Sequence, residues 1–372
     1  MSGRIRFRYF AHSWISDWNH GNAHFLRGLV RELQRLGHEV RCYEQYGSWS
    51  LTNLVDTEGE KAQQAIEQFR GEFPDLDVRL YQNDSDLADS LRLELKGADI
   101  VIVHEWNDPE VVNAILSLKR ELGFAALLHD THHRAHTNPG ELLRFHLELF
   151  DGVLAFGEAI QRIYVEGFGV ERVWTFHEAA DVGHFAPRQE EHAFDVLWIG
   201  NWGDEERTRE LIEFLIEPAA EIQDLKAVVY GVRYPDEGKA ALAAAGIEYR
   251  GYLPNLMAPA AYAKSTLSLH IPRRLYANGL AGIPTIRVFE ALACGVPLLC
   301  APWQDVEHLF RPGEDYLVAQ SGAEMKSAIQ WLLRDDAARS QLAANGRETI
   351  LQRHTCAHRA AQMVEICGEL TQ

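Results

Sequence analysis

The stretch Gly279-Leu-Ala-Gly-Ile-Pro-Thr-Ile-Arg-Val-Phe-Glu-Ala-Leu-Ala-Cys-Gly-Val-Pro297 predicts a turn, a helix over residues 285–294 and an exit into a buried strand. Pro284 suits a first helical turn, where a missing N–H costs nothing. The free N–H groups of the helix start, aligned with its dipole, make an anion site at Thr285 and Ile286. Arg287 adds a fixed charge that can grip a phosphate with two parallel hydrogen bonds. Glu290 falls one helical step on, on the face of Arg287 and Ile286, where a carboxylate can accept from two ribose hydroxyls. The same residues also read as an ordinary helix with a surface Arg287–Glu290 ion pair. The Gly295-Val-Pro297 exit favours the first reading, because it sets the helix start at the carboxyl edge of a sheet.

Outward from this segment the chain alternates strand and helix signals. Residues 4–11, 38–43, 99–104, 124–129 and 150–156 read as strands of the first half, several as apolar runs of the kind buried on both faces of a parallel sheet. Residues 195–200, 227–231, 247–252, 266–271 and 296–301 repeat the plan, and helical patterns over 323–333 and 336–353 follow. Such alternation predicts an α/β protein of two doubly wound, Rossmann-like domains facing one another across a cleft. The expected division is residues 1–182, a linker over 183–193, a second domain over 194–355, and a C-terminal helix over 356–372 that packs back on the first domain. Ligands of open α/β sheets lie beyond the carboxyl ends of the strands, which directs attention to the residue after each strand.

Several such places are candidates for chemistry. Gly200-Asn-Trp-Gly-Asp-Glu-Glu-Arg-Thr208 offers Asn201 and Arg207 to a diphosphate, although Arg207 equally reads as an exposed first-turn arginine. In His270-Ile-Pro-Arg-Arg-Leu-Tyr-Ala-Asn278, Arg273 or Arg274 suits the diphosphate and Tyr276 or Asn278 the sugar, while Tyr252 and Leu253 are candidates at the base. His129-Asp-Thr-His-His-Arg-Ala-His136 follows a buried strand, and Asp130, His132 and His133 are candidate general bases, their residue types tunable toward neutral pKa values. Its four histidines lack metalloprotease spacing, so no metal site is expected. Some of these histidines also read as loop or capping residues. His20, Gly21 and Asn22, with His104 and Glu105 after another strand, suit the pocket of an acceptor or sugar; Asn19 or Asn22 equally reads as a helix cap.

Composition bounds the partners. With 372 residues, a formal charge of −18 and 24% charged residues, the chain reads as globular and acidic, which argues against nucleic acid as the main partner. Five cysteines lie in neither a disulfide nor a zinc pattern. No run is apolar enough to span a bilayer, so a cytoplasmic protein with at most peripheral membrane contact is expected.

The segment Arg287-Val-Phe-Glu-Ala-Leu-Ala-Cys-Gly-Val-Pro297 resembles the donor-binding motif of GT-B glycosyltransferases with a "glycosyl transferases group 1" domain, and within them the spore-maturation CgeB-like branch. His20-Gly-Asn-Ala-His24, Leu128-His-Asp-Thr131, Gly251-Tyr-Leu-Pro254, Pro312-Gly-Glu-Asp-Tyr316 and Asn345-Gly-Arg347 follow in the family's order. The resemblance implies transfer of a sugar from a nucleoside diphosphate to an acceptor hydroxyl, with no cofactor or metal required and Glu290 on the ribose. The acceptor it leaves open: glycan, lipid, protein or small molecule. A sugar-nucleotide epimerase of the same fold and a non-catalytic sugar-nucleotide- or partner-binding protein are the alternatives. The chain departs from the family twice. Gly282 stands eight positions before Glu290, where retaining members usually carry a second glutamate, and the usual Lys/Arg-x-x-Lys-Gly segment is replaced by that containing Arg207.

Overall fold

The computed structural model describes residues 3–370; Met1, Ser2, Thr371 and Gln372, at the ends of the expected first domain and C-terminal helix, lie outside them. The chain divides into two compact units, Met1–Glu178 with Cys356–Gln372, and Ala179–Thr355.

Among the described residues, the first unit is built on a seven-stranded sheet: β1 (Arg6–Phe10), β2 (Glu39–Gln45), β3 (Asp77–Tyr81), β4 (Ile100–His104), β5 (Ala125–Asp130), β6 (Gly152–Ala155) and β7 (Val173–Thr175). The order is β3-β2-β1-β4-β5-β6-β7, and every pair is parallel. All of β4 is buried, as its unbroken apolar run requires of a strand covered on both faces. The strand β1 reads as alternating, yet all of it after the exposed Arg6 is buried too. Its arginines are accommodated by ion pairs: Arg6 with Asp99 at 2.8 Å, and the almost fully buried Arg8 with Glu39 at 3.1 Å. The helix Cys356–Leu370 belongs to this unit. It lies along the helix Ala23–Arg35, with Gln362 donating to the Thr175 carbonyl at 2.8 Å and the Trp174 indole N–H to Glu369 at 2.8 Å.

The second unit holds β8 (Phe194–Ile199), β9 (Ala227–Tyr230), β10 (Glu248–Tyr249), β11 (Ser265–His270), β12 (Leu298–Cys300) and β13 (Leu317–Val318). The order β10-β9-β8-β11-β12-β13 is again wholly parallel. Val196, Trp198, Val229, Leu267, Leu269 and Leu299 form its core with Phe214, Ile329 and Leu332 from the covering helices. Ala180 bridges to Thr355, so the chain enters and leaves this unit at one place.

The two units share one consequence of their strand order. The connections reverse direction between β1 and β4, and between β8 and β11, so the carboxyl ends of those strands open onto a crevice. At the second crevice the backbone is packed without room for a side chain. A Cβ on Gly231 would stand 1.9 Å from the Gly200 carbonyl oxygen, so only glycine lets the loops after β8 and β9 touch. Three strands were not expected from sequence. β3 is a largely exposed edge, and β7 and β13 have three and two residues, too few to show a periodicity.

Candidate functional site

In the second unit the expected helix runs from Ile286 to Ala293, with Thr285 as its N-cap. Pro284 therefore precedes the cap instead of occupying the first turn. The Thr285 hydroxyl does not cap the helix; it is hydrogen-bonded to His270 Nε2 at 3.1 Å, which ties the helix start to the end of β11. His270 is neutral, because burial and then the Arg207 charge lower it to about 3.

Glu290 is wholly buried. It accepts from the Tyr262 hydroxyl at 3.1 Å and pairs with Arg287, whose side chain keeps 20% of its exposure. The pair is thus an inward-facing carboxylate with a guanidinium at its mouth, not a surface ion pair. Arg207 is buried as well, which overturns its reading as an exposed arginine. It lies over the Trp198 ring at 5.1 Å and donates to Asn201, through both the backbone carbonyl at 2.8 Å and the side-chain oxygen, and to the Ile271 carbonyl at 3.3 Å. Burial, then the charges of Arg273 and Arg287, lower Arg207 to about 10. Three guanidiniums from segments after β8 and β11 and from the helix start therefore share one field, and the hydrogen bonds of the most buried one go to neutral oxygens. Arg273 also pairs with Glu206, and Arg274 with Glu210 at 2.8 Å. Such a cluster can neutralise a diphosphate.

The remaining expected donor-side residues are more dispersed. Tyr276 is buried in a π-helical turn, Leu275–Gly279, while Asn278 is exposed on it. Tyr252 and Leu253 are half-buried after β10, at the far edge of the sheet. Gly282 has φ +95°, and a Cβ there would stand 2.5 Å from Val306 Cγ2. A glutamate at 282 would be strained by backbone and neighbours alike.

In the first unit the loop after β1 is folded around buried charge. Glu44 accepts from the backbone N–H groups of Trp14 at 2.7 Å and Ile15 at 2.8 Å, and Arg27 donates to the Trp14 carbonyl and pairs with Asp17 at 3.0 Å. This framework carries His12 and His20 toward the ends of β4 and β5. The His12 and His20 ring centroids are 4.2 Å apart, and they lie 5.4 and 6.0 Å from that of His104. Gly21 and Asn22 follow, with Asn22 at the N-cap of Ala23–Arg35 but making no capping bond through its side chain.

At the ends of β4 and β5, His104, Glu105 and Thr131 form a buried cluster. His104 Nε2 is 2.9 Å from the Thr131 hydroxyl, which donates to Glu105 Oε1 at 3.3 Å, and Glu105 Oε2 is 2.9 Å from His104 Nδ1. Burial lowers His104 to about 3 and raises Glu105 to about 8. A neutral imidazole and a protonated carboxyl avoid a buried charge here, His104 Nδ1 accepts from the Trp106 N–H at 3.4 Å, and Glu105 Oε2 is left without a hydrogen bond among the described residues. Asp130 is also raised, by burial and then by Glu105; it accepts from the Tyr164 hydroxyl at 2.7 Å and the His132 N–H at 2.9 Å. His132 is half-buried, its ring 3.8 Å from that of His133 and 4.9 Å from that of Trp106. His133 is hydrogen-bonded to Thr137 at 2.9 Å, His129 turns inward to Tyr9, and His136 is exposed. Among the described residues no group of three or more His, Cys, Asp or Glu side chains is arranged to hold a metal ion.

The raised Glu105 gives a pH-dependent prediction. A carboxyl held at about 8 in the fold against an ordinary value of 4.5 favours the folded state only while protonated, so its contribution falls as pH rises from 4.5 to 8. Glu105→Gln keeps the protonated shape. Its stability relative to the parent chain should rise by roughly 1 kcal/mol per pH unit across that window. Denaturant titrations at pH 5, 6 and 7 read the gap, and a constant gap would show that Glu105 ionises normally.

Sequence reading missed His12, Tyr164 and Tyr262. His12 was within reach of the rule that directed attention to strand ends, since it stands two residues after β1. Tyr164 and Tyr262 reach their carboxylates from helices distant in sequence, and no local pattern marks them.

Residues 207–365 match a family described as glycosyl transferase-like. No curated protein matches the chain in sequence. The structure is similar to sucrose-phosphate synthase from Thermosynechococcus elongatus, at 13% identity and TM-score 0.67 over 99% of both chains. It is similar to Anabaena HepE in complex with UDP-glucose, at 13% identity and TM-score 0.69 over 98% of this chain and 100% of that one. An alpha-glucosyltransferase in complex with UDP and a 13-mer DNA matches at 12% identity and TM-score 0.69, over 98% and 100%. The chain has the two-domain fold of the GT-B glycosyltransferases, and its segment 207–365 carries the match to the glycosyl transferase-like family.

Proposed function

We propose that this protein is a metal-independent glycosyltransferase that moves a hexosyl or pentosyl group from a nucleoside diphosphate to an acceptor hydroxyl. The observation that carries the reading is the convergence of Arg207, Arg273 and Arg287 at the start of the helix Ile286–Ala293, with Glu290 buried behind them. A leaving diphosphate gathers negative charge in the transition state, and fixed guanidiniums stabilise it without a divalent ion. Glu290 accepts from the ribose hydroxyls, and Asn201, Thr285 and Ile286 complete the donor site. Tyr252 and Leu253 border the base, and Tyr276, Asn278 and Arg274 the sugar.

The first unit supplies the acceptor. His132 takes the proton of the attacking hydroxyl, with its backbone fixed by Asp130 and its ring flanked by His133 and Trp106. A base of this kind supports inversion at the anomeric carbon, consistent with Gly282 in place of a second carboxylate. The resemblance of residues 287–297 favours the CgeB-like branch, and a nucleotide-sugar donor favours work in the cytoplasm.

Uridine diphosphate is the first nucleotide to test, because two of the similar structures hold it or its glucose conjugate. Thermal shift against UDP, GDP, ADP and dTDP should show stabilisation by one of them, since a ligand of the folded state raises stability by mass action. Incubation with the matching sugar nucleotides should then release diphosphate slowly and faster with acceptor. Isomerised donor would point to an epimerase instead, and affinity without turnover to a binding protein.

A further inference from the structure

The first unit holds a set of buried polar groups that the donor chemistry does not use. His20 is 7% exposed, and neither of its ring nitrogens has a hydrogen-bond partner among the described residues; His12 Nδ1 and His129 Nε2 are in the same state. Buried imidazole nitrogens without partners are costly, by about 1–3 kcal/mol each. They lie together: His12 against His20, both near His104, and His104 within 5.7 Å of His129. Beside them Trp106 keeps 41% of its exposure, its ring 6.1 Å from that of His12, with the Arg134 guanidinium over it at 4.5 Å.

The charge state of the cluster selects the chemistry of what fits. Burial, then His104 and Arg134, lower His12, and burial, the neighbouring imidazoles and Arg27 lower His20, so both rings are neutral. A neutral imidazole presents one N–H donor and one acceptor, which is the complement of a hydroxyl group. Glu105 is protonated beside them, so a cationic ligand meets no carboxylate charge there. Arg134 is already engaged with the Glu105 carbonyl at 2.7 Å and with the Trp106 face, which leaves an anionic ligand poorly matched. The indole is a flat apolar plate beside a polar floor, the surface that the C–H face of a sugar ring covers.

We propose that His12, His20 and Trp106, set beside His104, form the acceptor subsite and that the acceptor enters it as an uncharged sugar ring, its hydroxyls on the His12 and His20 imidazoles and its apolar face on Trp106. The proposal rests on the transferase reading for the word acceptor, and on the cluster alone for the sugar. The test uses the full chain and saturation-transfer NMR with neutral methyl hexosides and pentosides, set against the corresponding uronic acids and amino sugars. A neutral glycoside should bind, and His20→Phe and Trp106→Ala should each weaken it at least tenfold. UDP affinity, measured in parallel, should be the same in both variants as in the parent chain. Trp106→Ala removes an exposed ring and keeps the test decisive if His20→Phe fails to fold. Preference for a uronate or an amino sugar, no glycoside binding at all, or parental binding in a folded variant would each overturn the subsite. Failure of every sugar nucleotide to bind, with glycoside binding intact, would instead remove the transferase reading and leave a neutral-sugar site.

Discussion

Replacing Glu290 with glutamine should weaken binding of the preferred nucleoside diphosphate about 100-fold, some 3 kcal/mol, while inorganic pyrophosphate binds as well as before or better. The carboxylate is wholly buried, faces Arg287 and accepts from Tyr262, so its charge is available to ribose hydroxyls in a site largely closed to water. Hydrogen bonds to an ionised acceptor are the strong ones. Pyrophosphate lacks the ribose, and freeing Arg287 from its carboxylate leaves more positive charge for the phosphates. Glutamine preserves an acceptor for the Tyr262 hydroxyl. Alanine would leave that buried hydroxyl without one, at a cost of about 1–3 kcal/mol in stability, and would confuse folding with affinity. Calorimetric titration of both ligands decides the matter. Equal losses for nucleotide and pyrophosphate, or no loss for either, would sink the ribose assignment.

Arg207→Met should also cost about 100-fold in diphosphate affinity, but with the opposite effect on the unliganded protein. Arg207 is the most buried of the three clustered guanidiniums, and its lowering to about 10 comes from burial first and the charges of Arg273 and Arg287 next. Removing a desolvated cation that two like charges oppose relieves the apo protein, which offsets the loss of a donor to the Asn201 and Ile271 oxygens, and methionine keeps contact with Trp198. The variant's melting temperature should equal or exceed that of the parent, and its stabilisation by diphosphate should largely vanish. That trade between stability and function is expected where a site holds charge in readiness for a ligand. Its residual affinity should also depend less on salt, since one fewer cation meets the phosphates. A variant that melts lower and binds diphosphate normally would make Arg207 a structural residue.

Local sequence was informative where local physics governs. β4 and β5 announce themselves because a strand buried on both faces must be apolar along its length, and the polar residues that end them, His104 and Asp130, stand at the crevice. The helix at 286–293 was legible from Pro284 before it and the Gly295 exit after it, and the Arg287–Glu290 approach follows from a spacing of three residues on a helix. The burial of that pair did not follow, because it depends on what covers the helix face. β3, β7 and β13 were illegible for a related reason: an edge strand or a two-residue strand is defined by its neighbour's hydrogen bonds and carries no periodicity of its own.

By itself, then, the sequence determined two parallel α/β units, the polar strand ends that border the crevices, and a helix start with a carboxylate one turn in. Those features rest on hydrophobic periodicity and on contacts within a turn, which the chain specifies locally. Only the tertiary structure decided that Arg207 joins Arg273 and Arg287, that Tyr164 and Tyr262 bind the carboxylates of Asp130 and Glu290, and that His12 and His20 meet His104. It also decided the protonation of Glu105 and the neutrality of the histidines, because desolvation and the charges of distant segments fix them, and neither exists until the sheets are assembled.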